Sequence, residues 1–336
     1  MTANQTENIL SIENLEVKII SFDGIVNAVR GADLAVRRGE IHGIVGESGC
    51  GKSVMMKSVL RLHDERKVAI SGSIRLNDRE MLTLNELELN RLRGKEAAMI
   101  FQNPMTSLSP IMKVGDQVLE AVRSKQNVSK KQGREMVIDM LEKVGITSPE
   151  ERYDQYPFEL SGGLLQRIMI AMAMINDPEL LIADEPTTSL DVTIQAQILH
   201  LMKEMQRNTG VSVILITHDL GVIAETCDRV SVMYAGKIVE TGGVYDIFDH
   251  PGHPYTKALI ESMPRGADTR DRLDTIPGAP PSLYEAIPGC AFAVRCPYAK
   301  ACCETVEPQS VVLSETHRAA CHFASQLFEK GEITDE

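Results

Sequence analysis

The chain has 336 residues, 43% of them hydrophobic and 24% charged, which suits one large domain or a domain with an appendage and a sizeable core. Its formal charge of −12 excludes non-specific attraction to nucleic acid or anionic lipid as a mode of action. MTANQTENIL at the start has neither the basic nor the apolar region of a signal peptide. The longest wholly apolar run, IMIAMAMI at 168–175, falls far short of the ~20 residues of a spanning helix. The chain is therefore expected to be soluble by itself and to reach a membrane only through partners.

In chain order, IHGIVGESGCGKSVMMKSVLRL (41–62) reads as strand, glycine-rich turn and helix. AAMIF (97–101) reads as a buried strand that ends at Gln102, and 104–160 turns helical, with VGDQVLEAVRS and KKQGREMVIDMLEKVG amphipathic. LSGGLLQR (160–167) opens a further helix. Then come strand LLIAD (180–184), helix VTIQAQILHLMKEMQ (192–206) and strand VSVILIT (211–217). Helix LGVIAETC, strand RVSVMY and a short strand near GKIVET follow. Alternating strands and helices predict an α/β fold, its sheet mostly parallel, with a helical insertion in the middle. Near residue 250 the proline-rich HPGHPYTKAL and IPGAPPSL (276–283) mark a junction into a small terminal module.

Gly46-Glu47-Ser48-Gly49-Cys50-Gly51-Lys52-Ser53 fits G-x-x-x-x-G-K-S/T between strand and helix, the context a P-loop requires. Its backbone N–H groups point at phosphates, Lys52 reaches the β- and γ-phosphates, and the Ser53 hydroxyl ligates Mg²⁺. Cys50 is read as a small filler of an x position, the other reading being a redox-sensitive thiol. LLIADEPT puts Asp184 and Glu185 at the carboxyl end of an apolar strand, where open α/β sheets present ligands. Asp184 suits Mg²⁺ coordination, and Glu185 suits a general base on the attacking water. His218 and Gln102 end neighbouring strands in the same way, within reach of the γ-phosphate and of Mg²⁺ and water respectively. Ser161, Gly162 and Gly163 expose N–H groups at a helix start, a good anion site without a lysine of its own.

Of seven cysteines, Cys290, Cys296, Cys302, Cys303 and Cys321 crowd the last fifty residues. Without secretory features, metal ligation or redox chemistry is the expectation. Counting Cys303 as third, the spacing C-x5-C-x6-C-x17-C lacks the close pairs of structural zinc sites. An iron–sulfur cluster, zinc, and free thiols or a labile disulfide all remain open. His317 and His322 read as surface residues rather than ligands.

GESGCGKS, Gln102, LSGGLLQR, LLIADEPT, SLD (189–191) and His218, in this order, resemble the ATP-binding subunit of an ABC transporter. The resemblance implies head-to-tail pairing with a second ABC ATPase subunit, a paralogue in preference to a second copy. Each signature then caps ATP held by the other subunit's P-loop. Ser161 and Gly163 would bind the γ-phosphate of the partner's ATP, with Asp191 across the same interface. Leu164 stands where the family usually has Gln, and Ile19 where an aromatic normally stacks on adenine; Phe22 lies nearby.

FQNPMTSLSP, HPYTKALIESMP, IPGAPPSL and GCAFAVRCPYAKACCETVEP resemble the oligopeptide, dipeptide and nickel importers within that family. That branch implies an ABC ATP-binding domain over 1–255, with a helical subdomain at about 104–163 inserted, and a C-terminal extension over 256–336. It also implies Cys290, Cys296, Cys303 and Cys321 as ligands of a 4Fe-4S cluster. The activity implied is ATP hydrolysis driving peptide uptake at the cytoplasmic face of the membrane. Two permeases and an extracytoplasmic substrate-binding protein are the implied partners, with nickel or another small solute as the alternative cargo. A soluble ABC ATPase acting on DNA or ribosomes would need a long coiled-coil insertion or a fused second ATPase half, and neither is present in the sequence. A P-loop kinase would leave Glu185, the signature and His218 without a role.

Overall fold

The computed structural model describes residues 8–188, 190–263 and 276–333. They form two compact units: one chiefly of Arg37–Ile41 and Thr83–Ile216, the other of Leu10–Val36, His42–Leu82 and residues from 217 onward.

The unit that carries the P-loop contains two sheets. Asn8–Ser21 and Gly24–Arg37 form a hairpin around a two-residue turn, which only antiparallel strands allow. Val68–Leu76 pairs antiparallel with the first of them, in register Leu10↔Leu76, and Arg79–Glu80 closes the edge. Phe22 sits at the hairpin turn, fully exposed. In the second sheet Ile41–Val45, buried at every position, runs parallel to Arg229–Tyr234, as suits a strand covered on both faces. Lys237–Gly243 folds back antiparallel on Arg229–Tyr234, and Arg318–Ala319 and then Val311–Val312 extend that edge.

The tail thus adds strands to the sheet that begins with the P-loop strand. Its Phe292 packs in one core cluster with Val45, Val230, Val232, Tyr234 and Tyr255, flanked by Cys227, Cys290 and Cys296. Burying each large side chain of that cluster contributes roughly 1.5–3 kcal/mol. The expected domain border after residue 255 falls inside the helix Pro254–Glu261. His317, expected at the surface, is instead fully buried, its Nε2 bonded to Glu240. That carboxylate also accepts the N–H groups of Gly252 and His253. The polar spacing of HRAACH hid this, because the tail strand turns His317 inward.

The other unit holds three parallel strands, Ala97–Ile100, Leu180–Asp184 and Ser212–Thr217, paired Ala97↔Leu180 and Leu181↔Val213. Between the first two lies the helical insertion, with Pro104–Ser107, Val114–Lys125, Lys130–Lys143 and Pro149–Tyr153 before the helix Gly162–Met174. A reciprocal capping box of Ser129 and Gln132 starts Lys130–Lys143. Val118, Leu119 and Val122 are buried on one helix, and Val137, Met140 and Leu141 on the next. Gly115 lies so close to the Tyr153 ring that a Cβ there would stand 2.1 Å from it. Among the described residues no helix is long and apolar enough to cross a membrane.

Candidate nucleotide site

The P-loop is shaped by backbone crowding. A Cβ on Gly46 would lie 2.1 Å from the Met233 carbonyl oxygen, and one on Gly51, at φ 108°, would lie 2.4 Å from that of Ala28. Only glycine fits either place. Lys52 opens the helix Lys52–Val59, and its buried ammonium arches back over the loop. It donates to the Gly46 carbonyl at 2.7 Å and to that of Glu47 at 3.0 Å. Ser53, next along, is half-buried. Ser48 and Gly49 are exposed at the loop's crest, Gly49 with open space around its Cα. Cys50 is buried, and burial raises its thiol pKa against the opposing pull of Lys52. That environment favours an inert filler over a reactive thiolate.

In the other unit, Asp184 ends Leu180–Asp184 and is buried, while Glu185 follows half-exposed. Glu185 has φ 47°, a left-handed backbone that is uncommon and costly for a non-glycine residue. Its N–H donates to the Ile216 carbonyl at 3.0 Å, which ties the turn to the neighbouring strand end. Its Oε2 accepts from Gln102 Nε2 at 2.8 Å and from Thr188 Oγ1 at 2.9 Å. Two side chains singled out in the sequence are thereby brought together, and a second donor that sequence reasoning missed is added. A polar Thr in the turn after the strand was the available signal for Thr188. His218 follows directly on Ser212–Thr217 and is exposed.

Ser161 caps the helix Gly162–Met174, its hydroxyl accepting from the Leu164 N–H at a long 3.5 Å. Ser161 and Gly162 are exposed. A Cβ on Gly163 would stand 2.8 Å from Ile194 Cγ2, which explains the second glycine. Ile194 belongs to the helix Val192–Thr209, whose cap is Asp191, accepting from the Ile194 N–H at 3.0 Å. The signature and the SLD aspartate therefore flank one another; Ser189 of that motif lies outside the described residues.

Cys290, Cys296, Cys303 and Cys321 line one small pocket, of about 10 Å³, together with Phe292, Phe323 and Tyr298. Exposed Cys302 is not among the lining residues. Burial raises the thiols of Cys290, Cys296, Cys303 and Cys321. Among the described residues no three His, Cys, Asp or Glu are grouped closely enough to hold a single metal ion.

Sequence reasoning also missed the surroundings of Glu47. Its carboxylate forms a two-fold ion pair with Arg295, and its N–H donates to the Tyr255 hydroxyl.

Comparison with known proteins fits this geometry. Residues 29–188 match the ABC transporter family, and residues 239–303 match the oligopeptide/dipeptide transporter C-terminal region. The chain is 48% identical to the dipeptide transport ATP-binding protein DppD of Bacillus subtilis, covering 98% of this chain and 99% of that one. It is 47% identical to the oligopeptide transport ATP-binding protein OppD of the same organism, over 92% of this chain and 87% of that one. Among solved structures, cbiO1 from Clostridium perfringens, part of the ABC transporter complex cbiONQ, superposes with TM-score 0.61 at 28% identity. That match covers 72% of this chain and 91% of cbiO1. The dimeric ATP-binding cassette MJ0796 bound to ADP and Pi shares the fold, with TM-score 0.63 at 24% identity over 70% of this chain and 98% of that one.

Fold and motifs define an ATP-binding cassette. The chain belongs to the ABC transporter family, in the branch with the oligopeptide/dipeptide transporter C-terminal region, and is an ATP-hydrolysing subunit of an ABC importer. The family generally implies ATP and Mg²⁺ as cofactors.

Proposed function

We propose that this chain energises uptake of peptides through two membrane permeases, working at the cytoplasmic face of the membrane with a paralogous ATPase and fed by an extracytoplasmic binding protein. The peptide assignment rests on relatives named for dipeptide and oligopeptide transport along almost their whole length. The single observation that carries the mechanism is the Gln102–Glu185 contact at the end of the acidic strand.

ATP lies in the 46–53 loop, with the N–H groups of Ser48, Gly49, Cys50, Gly51 and Lys52 on its phosphates. Lys52 exchanges its loop carbonyls for the β- and γ-phosphates. Ser53, Asp184 and Gln102 serve Mg²⁺. Glu185, kept in place by Gln102 and Thr188, takes a proton from the attacking water, and His218 contacts the γ-phosphate. Ser161, Gly162, Gly163 and Asp191 serve the nucleotide of the partner subunit, so that ATP joins the two ATPases and its hydrolysis releases them.

Exposed Phe101, Met105, Ile111 and Phe158 supply an apolar surface for the permeases' cytoplasmic helices. Phe101 adjoins Gln102, which links that contact to nucleotide state. The ABC domain is proposed to run over 1–255 and the extension over 256–336.

Cys290, Cys296, Cys303 and Cys321 are proposed to hold a 4Fe-4S cluster. It would cross-link the tail through four thiolates. Anaerobic purification should yield about four irons per chain, lost in Cys303→Ser and kept in Cys302→Ser. An iron-free chain with four titratable thiols in the pocket contradicts the assignment.

Uptake of labelled dipeptide into cells lacking the natural chain tests the whole reading. Wild type should restore it and Glu185→Gln should not. Restored nickel uptake without peptide uptake would move the cargo to the metal, and co-purification with ribosomal or DNA-repair proteins instead of permeases would overturn transport.

A further inference from the structure

A carboxylate inside a phosphate-binding loop is electrostatically adverse, because it stands beside a polyanion in a partly dehydrated place. Glu47 is such a residue, the second of the loop. Its surroundings offset the problem. Arg295 NH1 donates to Glu47 Oε2 at 2.8 Å, and NH2 donates to Oε1 at 2.9 Å, a planar fork on both oxygens. The guanidinium side chain is only 4% exposed, whereas that of Glu47 is 26% exposed. The other donors of the fork are also committed. Nε donates to the Pro277 carbonyl at 2.9 Å, NH2 to that of Ile276 at 3.2 Å, and NH1 to the Tyr234 hydroxyl at 3.2 Å.

The backbone of the same residue is fixed separately. The Glu47 N–H donates to the Tyr255 hydroxyl at 2.9 Å, which sets the plane of the loop's first peptide. Tyr255 is itself buried, its ring 4.5 Å from that of Tyr234 and 5.4 Å from Phe292. Arg295 ends the tight turn Ala293–Arg295, which is flanked by two cysteines of the thiol pocket. The Ala293 N–H donates to the Cys290 carbonyl at 3.0 Å, and that of Cys296 to the Ala293 carbonyl at 3.2 Å. The side chains that grip Glu47 therefore come from the tail and from the helix leading into it.

We infer that the C-terminal segment positions the P-loop for ATP, with Arg295 and Tyr255 as the positioning residues. Arg295 neutralises Glu47 and turns it away from the phosphates, and Tyr255 holds the loop's first N–H. The inference rests on the reading of 46–53 as the ATP-binding loop. It gives the tail a part in nucleotide binding within its own chain.

The test is steady-state ATPase kinetics of the purified transporter complex, with thermal unfolding of each variant measured alongside. Arg295→Gln should raise KM for ATP about tenfold while kcat stays within about twofold, as expected when the competent loop conformation becomes a minor population. Arg295→Lys should not restore KM, since an ammonium cannot take both carboxylate oxygens. Adding Glu47→Gln to Arg295→Gln should recover most of the lost affinity, because the unneutralised carboxylate is gone. An arginine that only stabilised the fold would show no such rescue. Tyr255→Phe keeps the ring, removes the acceptor of the Glu47 N–H, and should raise KM about threefold; this variant carries the test if Arg295→Gln does not fold. Wild-type KM in folded Arg295→Gln or Tyr255→Phe, or absence of rescue in the double variant, overturns the inference. Lys52→Ala in the same assay separates the two readings. If it abolishes ATP binding while Arg295→Gln is normal, only the positioning role falls; if it binds ATP normally, the P-loop reading falls with it.

Discussion

Two glycine-rich helix starts in this chain are proposed to meet phosphates, and they are built differently. The loop at 46–53 is held on all sides, by the Met233 and Ala28 carbonyls, by its own lysine, and by Arg295 and Tyr255. The signature at 160–164 is exposed at Ser161 and Gly162, has no cation, and satisfies its serine with one long hydrogen bond to its own helix. The first is organised before any ligand arrives. On the proposed reading, the second offers its donors to a phosphate that it cannot hold alone. A pre-organised site binds with less ordering cost, whereas a half-site reports whether a partner is present.

Variants break this contrast in graded ways. The largest effect is expected at Glu185, where Gln should lower turnover by about a thousandfold with ATP affinity preserved, giving an ATP-locked complex detectable by gel filtration. Normal turnover in Glu185→Gln, in a complex whose partner site is disabled, would remove it from the role of base. Lys52→Ala should weaken ATP binding at least about a hundredfold, since it deletes a charge-assisted contact to the phosphates; equilibrium titration with a fluorescent ATP analogue reads this. Ser161→Ala should lower turnover of the complex about tenfold, and the loss should map to the partner's nucleotide when each site is inactivated in turn. The smallest effect concerns Cys50. Burial raises its thiol above the ordinary range, so less thiolate exists at neutral pH than on a free thiol, and alkylation should be slow there. The rate should climb as pH rises past the ordinary thiol value. Rapid labelling of Cys50 at pH 7, followed by mass spectrometry, would show the thiol to be reactive after all.

The strand ends proposed for catalysis were legible as strand ends because they lie where the sequence pattern changes abruptly. Four apolar residues before Asp184, and four in the strand SVILIT before His218, leave little freedom about where the polar side chains emerge. The P-loop glycines were legible for a similar reason, as no Cβ is tolerated at Gly46 or Gly51. What stayed hidden depends on pairing across long sequence separations. Arg295 stands 248 residues from Glu47, with nothing local to announce the contact. Likewise His317 reads as a surface residue until the pairing of Arg318 with Thr241 turns it toward Glu240. Thr188 reads as an ordinary turn residue until its hydroxyl is seen on Glu185. The small terminal module was expected from the change of composition near residue 250, but composition does not reveal that its short strands extend the P-loop sheet.

The measurement that tests the central contrast most directly is ATP binding to the isolated chain by titration calorimetry, for wild type, Lys52→Ala and Ser161→Ala side by side. The account predicts that Lys52→Ala loses ATP while Ser161→Ala binds as wild type does, having lost only the ability to cap a partner's nucleotide. Equal loss of affinity in both variants would mean that the signature serves the chain's own ATP, and the division into a complete site and a half-site would be wrong.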